Sequence, residues 1–161
     1  MSQKTEPGAA GTATESMTSL WDRPGYLVRR LHQIHVAMFL EECAAFGITP
    51  VQYAVMTALL NRPGADQVTI ARDAGIDRTN VADVLARLDQ RGLVHRETSK
   101  EDRRQRIAHL TPEGDRVARE MEHASLSAQS KFMAPLSDEK QTQLMSLMTD
   151  LVEANNEFSR A

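Results

Sequence analysis

The chain has 161 residues, 41% of them hydrophobic and 25% charged, with a formal net charge of −3. That length suits one domain with a core of its own plus helical extensions, and no stretch approaches the roughly 18 consecutive apolar residues of a membrane span. A single cysteine, Cys43, rules out an internal disulfide and points to a cytoplasmic protein.

Residues 1–20, rich in Gly, Ala, Ser and Thr and without the apolar core of a secretory signal, read as a disordered tail. A first helix is expected from Pro24 to about Phe46, with Asp22 as its N-cap and Leu27, Leu31, Ile34 and Met38 on one stripe. Gly47 stops it. Thr49-Pro50 opens a second helix with Val51, Val55, Ala58 and Leu59 facing inward, and Pro63-Gly64 ends that one. Asp66 caps a short third helix over Gln67–Ala74, Gly75 makes the turn, and Asp77 caps a fourth helix from Arg78 to about Gln90. Gly92 follows at its C-terminal cap. Leu93–Thr98 and Ile107–Leu110 then read as two strands around a polar hairpin loop, Ser99–Gln105. Thr111-Pro112 opens a long helix carrying Val117, Met121, Ala124 and Ala128. Pro135 interrupts it, and Ser137 starts a last helix with Leu144, Leu147, Met148, Leu151 and Val152. The end helices carry more apolar surface than one small domain can cover, so they are expected to form a dimer interface.

Charge is unevenly spread. Between Arg87 and Arg106 seven basic residues (Arg87, Arg91, Arg96, Lys100, Arg103, Arg104, Arg106) meet only four acids (Asp89, Glu97, Glu101, Asp102), on an otherwise acidic chain. A basic patch on an acidic body orients a protein on nucleic acid. The third and fourth helices read as a helix-turn-helix: Ala71 is small at the helix crossing, Gly75 allows the turn, and Val81, Val84, Leu85 and Leu88 form the buried stripe. Arg78, Thr79, Asn80, Asp83 and Arg87 are left on the outer face. Arg and Asn bind base edges bidentately in a major groove, while Asp83 would accept from a cytosine amine or position Arg87.

The hairpin carries Asp102-x-Arg104, five further residues, and then Leu110-Thr111-x-x-Gly114. With this motif the chain resembles the MarR family of transcriptional regulators from about Asp22 to Phe158. The resemblance implies a mainly α fold with a small β-wing: a winged helix-turn-helix DNA-binding lobe over residues 49–111, between a dimerisation helix at 21–48 and C-terminal dimerisation helices at 112–161. It also implies a homodimer on double-stranded palindromic DNA. Arg104 would enter the minor groove with Asp102 orienting it, and Arg103 and Arg106 would touch phosphates or set the wing.

In that family small aromatic acids or phenols relieve repression from a pocket between the first two helices, the last helices and the DNA-binding lobe. Arg29, His32 and His35 are the expected partners of an effector carboxylate or hydroxyl, with Phe39 and Tyr53 as walls. The segments RPGYLVRRLHQIH and TPVQYAVMTAL are similar to a subgroup controlling nicotinate catabolism, which implies 6-hydroxynicotinate as effector.

Other functions find less support. The chain has no phosphate loop, nucleophile elbow or metal-hydrolase motif, so no enzyme, metal or catalytic cofactor is expected. Cys43 admits a redox-sensing reading, but the neighbouring carboxylates Glu41 and Glu42 disfavour a thiolate and suit a packing role better. A winged helix used for protein contact is the remaining alternative.

Overall fold

In the computed structural model, which describes residues 19–156, the chain folds as six helices and a three-stranded antiparallel sheet. Of the expected tail, residues 1–18 lie outside the described residues. Leu20 already begins a single 3-10 turn, Leu20–Asp22. Helix α1 spans Pro24–Glu42 and starts on Pro24 without a side-chain cap, because Asp22 is used inside that preceding turn. The helix ends sooner than its apolar pattern suggests: Cys43 is the C-cap, and Ala44–Phe46 tightens into a 3-10 turn before Gly47 reverses the chain.

Helix α2, Pro50–Asn61, is fixed by a reciprocal capping box. The Gln52 amide donates to the Thr49 hydroxyl at 3.3 Å, and the Gln52 side chain accepts from the Thr49 N–H at 3.0 Å. Gln52, Val55, Met56, Ala58 and Leu59 are its buried residues. Val51, expected inside, is exposed: at the first turn the inward direction falls on Gln52, whose aliphatic stem packs while its amide completes the cap.

Helices α3 (Gln67–Ala74) and α4 (Arg78–Gln90) take the expected bounds. Gly75 between them is left-handed (φ +64°), a conformation that costs a side-chain-bearing residue about 1 kcal/mol or more. Asp66 accepts the Thr69 N–H at 2.8 Å, and that bond holds its carboxyl below the ordinary carboxylate range. A depressed carboxyl stabilises the fold above its unfolded pKa and loses that contribution as pH falls through the folded value. Asp66→Ala should therefore cost about 1 kcal/mol at neutral pH, and urea unfolding should show wild type and variant converging below pH about 4.

Strand β2, Val94–Thr98, pairs with β3, Arg106–Leu110, from Val94↔Leu110 to Thr98↔Arg106. The sequence gives no sign of a third strand, β1, in which Ala65 and Asp66 pair with Ala108 and Ile107. Two residues are too few for a period-2 pattern, and only the returning hairpin defines them as a strand. Through β1 the wing and the helix-turn-helix form one unit.

Helix α5, Pro112–Met133, packs along α1, and α6, Asp138–Ala154, follows Pro135. One core runs from Phe39 and Cys43 through α2, α3, α4 and the sheet to Ala118, Met121 and Ala128. By contrast α6 has no buried residue, and Leu147, Leu151 and Val152 are exposed, as are Leu27, Leu31 and Ile34 of α1. Among the described residues no helix is long and apolar enough to cross a membrane.

Candidate nucleic-acid interface and effector cavity

Helix α4 begins on an Asp77 cap that takes both the backbone N–H and the hydroxyl of Thr79, at 3.0 and 2.8 Å. Arg78 and Asn80 beside it, and Asp83 and Arg87 further along, are exposed. Thr79 thus has its hydroxyl proton committed to the cap and only acceptor capacity left for an outside partner.

The wing tip is held by backbone bonds. Ser99 N–H donates to the Gln105 carbonyl, and Gln105 N–H to the Asp102 carbonyl, both at 2.9 Å. The nearly buried Ser99 hydroxyl accepts from the N–H groups of Glu101 and Asp102 at 3.2 and 3.3 Å. Asp102 Oδ1 accepts the Arg104 backbone N–H at 2.9 Å. Asp102 thereby sets the turn that presents Arg104 and does not grip its guanidinium, because a carboxylate two residues back in a tight turn meets the N–H first.

The pattern of pairing divides the arginines into two groups. Arg62 and Arg72 pair with Asp73, Arg96 with Asp89, Arg116 with Glu113 and Glu120, and Arg119 with Asp115. Arg91 donates to the carbonyls of Gly47 and Phe46 at 2.7 and 2.9 Å, tying the end of α4 to the turn after α1. Arg91 and Arg96 belong to the basic run in sequence but serve the fold. Arg78, Arg87, Arg103, Arg104 and Arg106 make no ion pair within 4.0 Å among the described residues. No bond joins Asp83 to Arg87 there either. Arg78, Arg104 and Arg106 surround a cleft of about 240 Å³ with Asp66, Gln67 and Gln105, where Gln105 Nε2 donates to Asp66 at 3.4 Å. Apart from the Asp66 carboxylate, whose charge Arg78 feels, these guanidinium groups could meet phosphates without first breaking a close ion pair.

The Leu110-Thr111-x-x-Gly114 half of the wing motif is structural. Thr111 N–H donates to the Leu93 carbonyl at 3.0 Å, its hydroxyl donates to the Gly92 carbonyl at 2.7 Å and accepts the Gly114 N–H at 3.0 Å. These bonds fasten the start of α5 to the base of the wing.

A second concavity, about 530 Å³, opens between α1, α2, α3 and α5. His35, Phe39 and Tyr53 line it, with the Phe39 and Tyr53 rings 5.8 Å apart and His35 set edge-on to Phe132 at 5.6 Å. Arg29 and His32 do not line it. Both are exposed, and Arg29 stacks over the Tyr26 ring at 5.7 Å. Burial pushes the Tyr53 phenol above its ordinary pKa, so it stays a proton donor, with the Thr57 and Ser125 hydroxyls beside it. Among the described residues Thr57 Oγ1 is buried without an aligned hydrogen-bond partner. The cationic wall is supplied by Arg62, at the end of α2, with Asp73 next to it. Sequence reading misses Thr57, Asn61, Arg62, Asp73, Ser125 and Gln129, which converge because α3 and α5 both pack against α2.

Cys43 is almost fully buried. Burial first and the Glu42 charge second push its thiol pKa up. Ellman's reagent should leave the native thiol unmodified at pH 7 and react once the chain is unfolded; fast labelling of native protein would revive the sensor reading. The Glu42 carboxylate itself pairs with Lys131 and accepts from Ser127 at 2.9 Å, which holds its pKa down and clamps α1 to α5.

A family model described as the MarR family matches residues 48–105. The transcriptional regulator HosA of Escherichia coli O111:H- is 33% identical over 136 residues, covering 84% of this chain and 99% of HosA. The PcaV regulator of Streptomyces coelicolor, solved in complex with its natural ligand, superposes with a TM-score of 0.75 at 32% identity, over 86% of this chain and 98% of PcaV. Bordetella bronchiseptica BpsR, whose DNA binding is regulated by 6-hydroxynicotinic acid, gives a TM-score of 0.79 at 25% identity, over 84% of this chain and 97% of BpsR.

Proposed function

Because this chain belongs to the MarR family, and is a transcriptional regulator rather than an enzyme, we propose that it is a homodimeric repressor released from its operator by a small aromatic carboxylic acid. One observation carries the reading: five guanidinium groups, Arg78, Arg87, Arg103, Arg104 and Arg106, on α4 and the wing, that make no ion pair among the described residues. In this reading Arg78, Asn80 and Arg87 face base edges, with Thr79 and Asp83 as acceptors. Arg104 enters the minor groove, Asp102 shapes its turn, and Arg103 and Arg106 meet phosphates.

The exposed apolar residues of α1 and α6 support a two-fold dimer in which a second copy covers Leu27, Leu31, Leu151 and Val152. Two α4 helices would then reach successive major grooves of a palindromic site. For the effector, a cavity of about 530 Å³ with a phenol, a histidine and an arginine on its walls suits a hydroxylated aromatic acid. The likeness to BpsR favours 6-hydroxynicotinate, and with it control of a catabolic operon for such acids.

Fluorescence anisotropy on DNA from just upstream of the chain's own gene tests the reading, run at several salt concentrations with and without 6-hydroxynicotinate. Nanomolar, salt-dependent binding that outcompetes random DNA, with release by the acid, is expected. No preference over random DNA, there or at neighbouring promoters, would sink the repressor and favour a protein-contact module.

A further inference from the structure

We propose that Arg62 anchors the effector's carboxylate, and that the effector acts by taking Arg62 away from Asp73. The inference rests on the reading of the α1–α2–α3–α5 cavity as the effector site. Arg62 follows the last residue of α2, and its Nε lies 2.8 Å from Asp73 Oδ2 on α3. Asp73 Oδ1 also takes the Nε of Arg72, at 3.2 Å. Arg62 and Asp73 both line the cavity, and among the described residues that line it Arg62 is the permanent cation and Asp73 the carboxylate. An acid entering this space meets a cation already neutralised and a carboxylate that repels it. It binds well only by displacing Asp73.

Displacement is cheap at this site. The Arg62 side chain is 58% exposed, so the pair it makes is a weak one, and its guanidinium has room to turn toward a bidentate carboxylate. Asp73 keeps Arg72 after the exchange, so no bare charge is left partly buried. The consequence falls on the DNA-reading unit. Asp73 lies in the last turn of α3, two residues before Gly75, which leads into α4. The Arg62–Asp73 pair joins the scaffold helix α2 to that corner, and its loss changes how firmly α3 and α4 are held against α2.

The test measures acid binding by titration calorimetry, and operator binding by anisotropy, for the full-length wild type, Arg62→Gln and Asp73→Asn. The probes are 6-hydroxynicotinate, salicylate and benzoate. Arg62→Gln should bind the acid at least about ten-fold more weakly, losing a charge-assisted bond. Asp73→Asn should bind it about two- to five-fold more tightly, because the competitor is gone. Without acid, both variants should bind the operator more weakly than wild type. A purely structural pair would not shift acid affinity in opposite directions at its two ends. Wild-type affinity in Arg62→Gln overturns the anchor while the cavity reading stands, and weaker acid binding in Asp73→Asn overturns the competition. Failure of wild type to bind any of the three acids removes the effector-site reading, and the proposal with it.

Discussion

Arg104→Glu is expected to abolish specific operator binding while leaving the thermal midpoint of the protein nearly unchanged. Arg104 is exposed at the wing tip, and among the described residues its guanidinium makes no ion pair, while its backbone N–H donates to Asp102. Substitution therefore removes no intramolecular side-chain bond, and the effect on stability should stay within about 0.5 kcal/mol. With Arg104 placed in the minor groove as proposed, the same change would remove a cation from the most negative part of the DNA surface and put an anion there. A groove-reading arginine is worth about 1–3 kcal/mol, and the proposed dimer would use two. The loss is then about 2–6 kcal/mol, or roughly thirty-fold to over ten-thousand-fold in affinity, before repulsion by the new carboxylates. Anisotropy against operator and random DNA checks it, beside a melting curve of the free protein. Retained operator affinity would remove the wing from the interface, and a lowered midpoint would show that Arg104 serves the fold.

Gly114→Ala should do the reverse, damaging the fold directly. A Cβ built on Gly114 would stand 1.9 Å from the Leu93 carbonyl oxygen, and that obstacle is backbone, fixed by its own bond from Thr111 N–H. Neither side can yield without opening the junction between α5 and the wing base. Overpacking in a core costs about 1–3 kcal/mol when side chains can move. Here about 3 kcal/mol or more is expected, a fall of roughly 6–12 °C in melting temperature for a chain of this size. Differential scanning calorimetry of the variant measures it. A midpoint within 2 °C of wild type would mean that the close approach of α5 to Leu93 is not present in solution. Residual DNA binding by this variant should track the folded fraction, which separates it from Arg104→Glu.

The two variants divide a single sequence motif by physical role. Asp102-x-Arg104 serves the outer surface, whereas Leu110-Thr111-x-x-Gly114 serves the joint beneath it. Spacing alone does not reveal that difference, because both halves are local in sequence and only the second touches Leu93 and Gly92 across the strand.

Local chemistry fixed much of this molecule. Asp66, Asp77, Thr49 and Thr111 are short side chains that accept the first free N–H groups of a helix, so the starts of α2, α3, α4 and α5 were readable from single residues. The α4 stripe of Val81, Leu85 and Leu88 was readable for a similar reason, since helical periodicity alone sorts inside from outside. The outer arginines of α4 followed from the same periodicity, whereas the wing motif was read from its resemblance to the MarR family.

The tertiary structure decided what depends on distant partners. It shortened α1 at Cys43, turned Val51 outward, and made a strand of Ala65 and Asp66 because β3 comes back beside them. It committed Arg91 and Arg96 to the fold and, among the described residues, left Arg103, Arg104 and Arg106 without ion pairs, a division that charge counting cannot make. It also replaced Arg29 and His32 by Arg62 on the cavity wall. The reason is common to all of these: a cap or a stripe is closed within one or two turns of chain, whereas an ion pair, an edge strand or a cavity wall is completed by residues that only folding brings near.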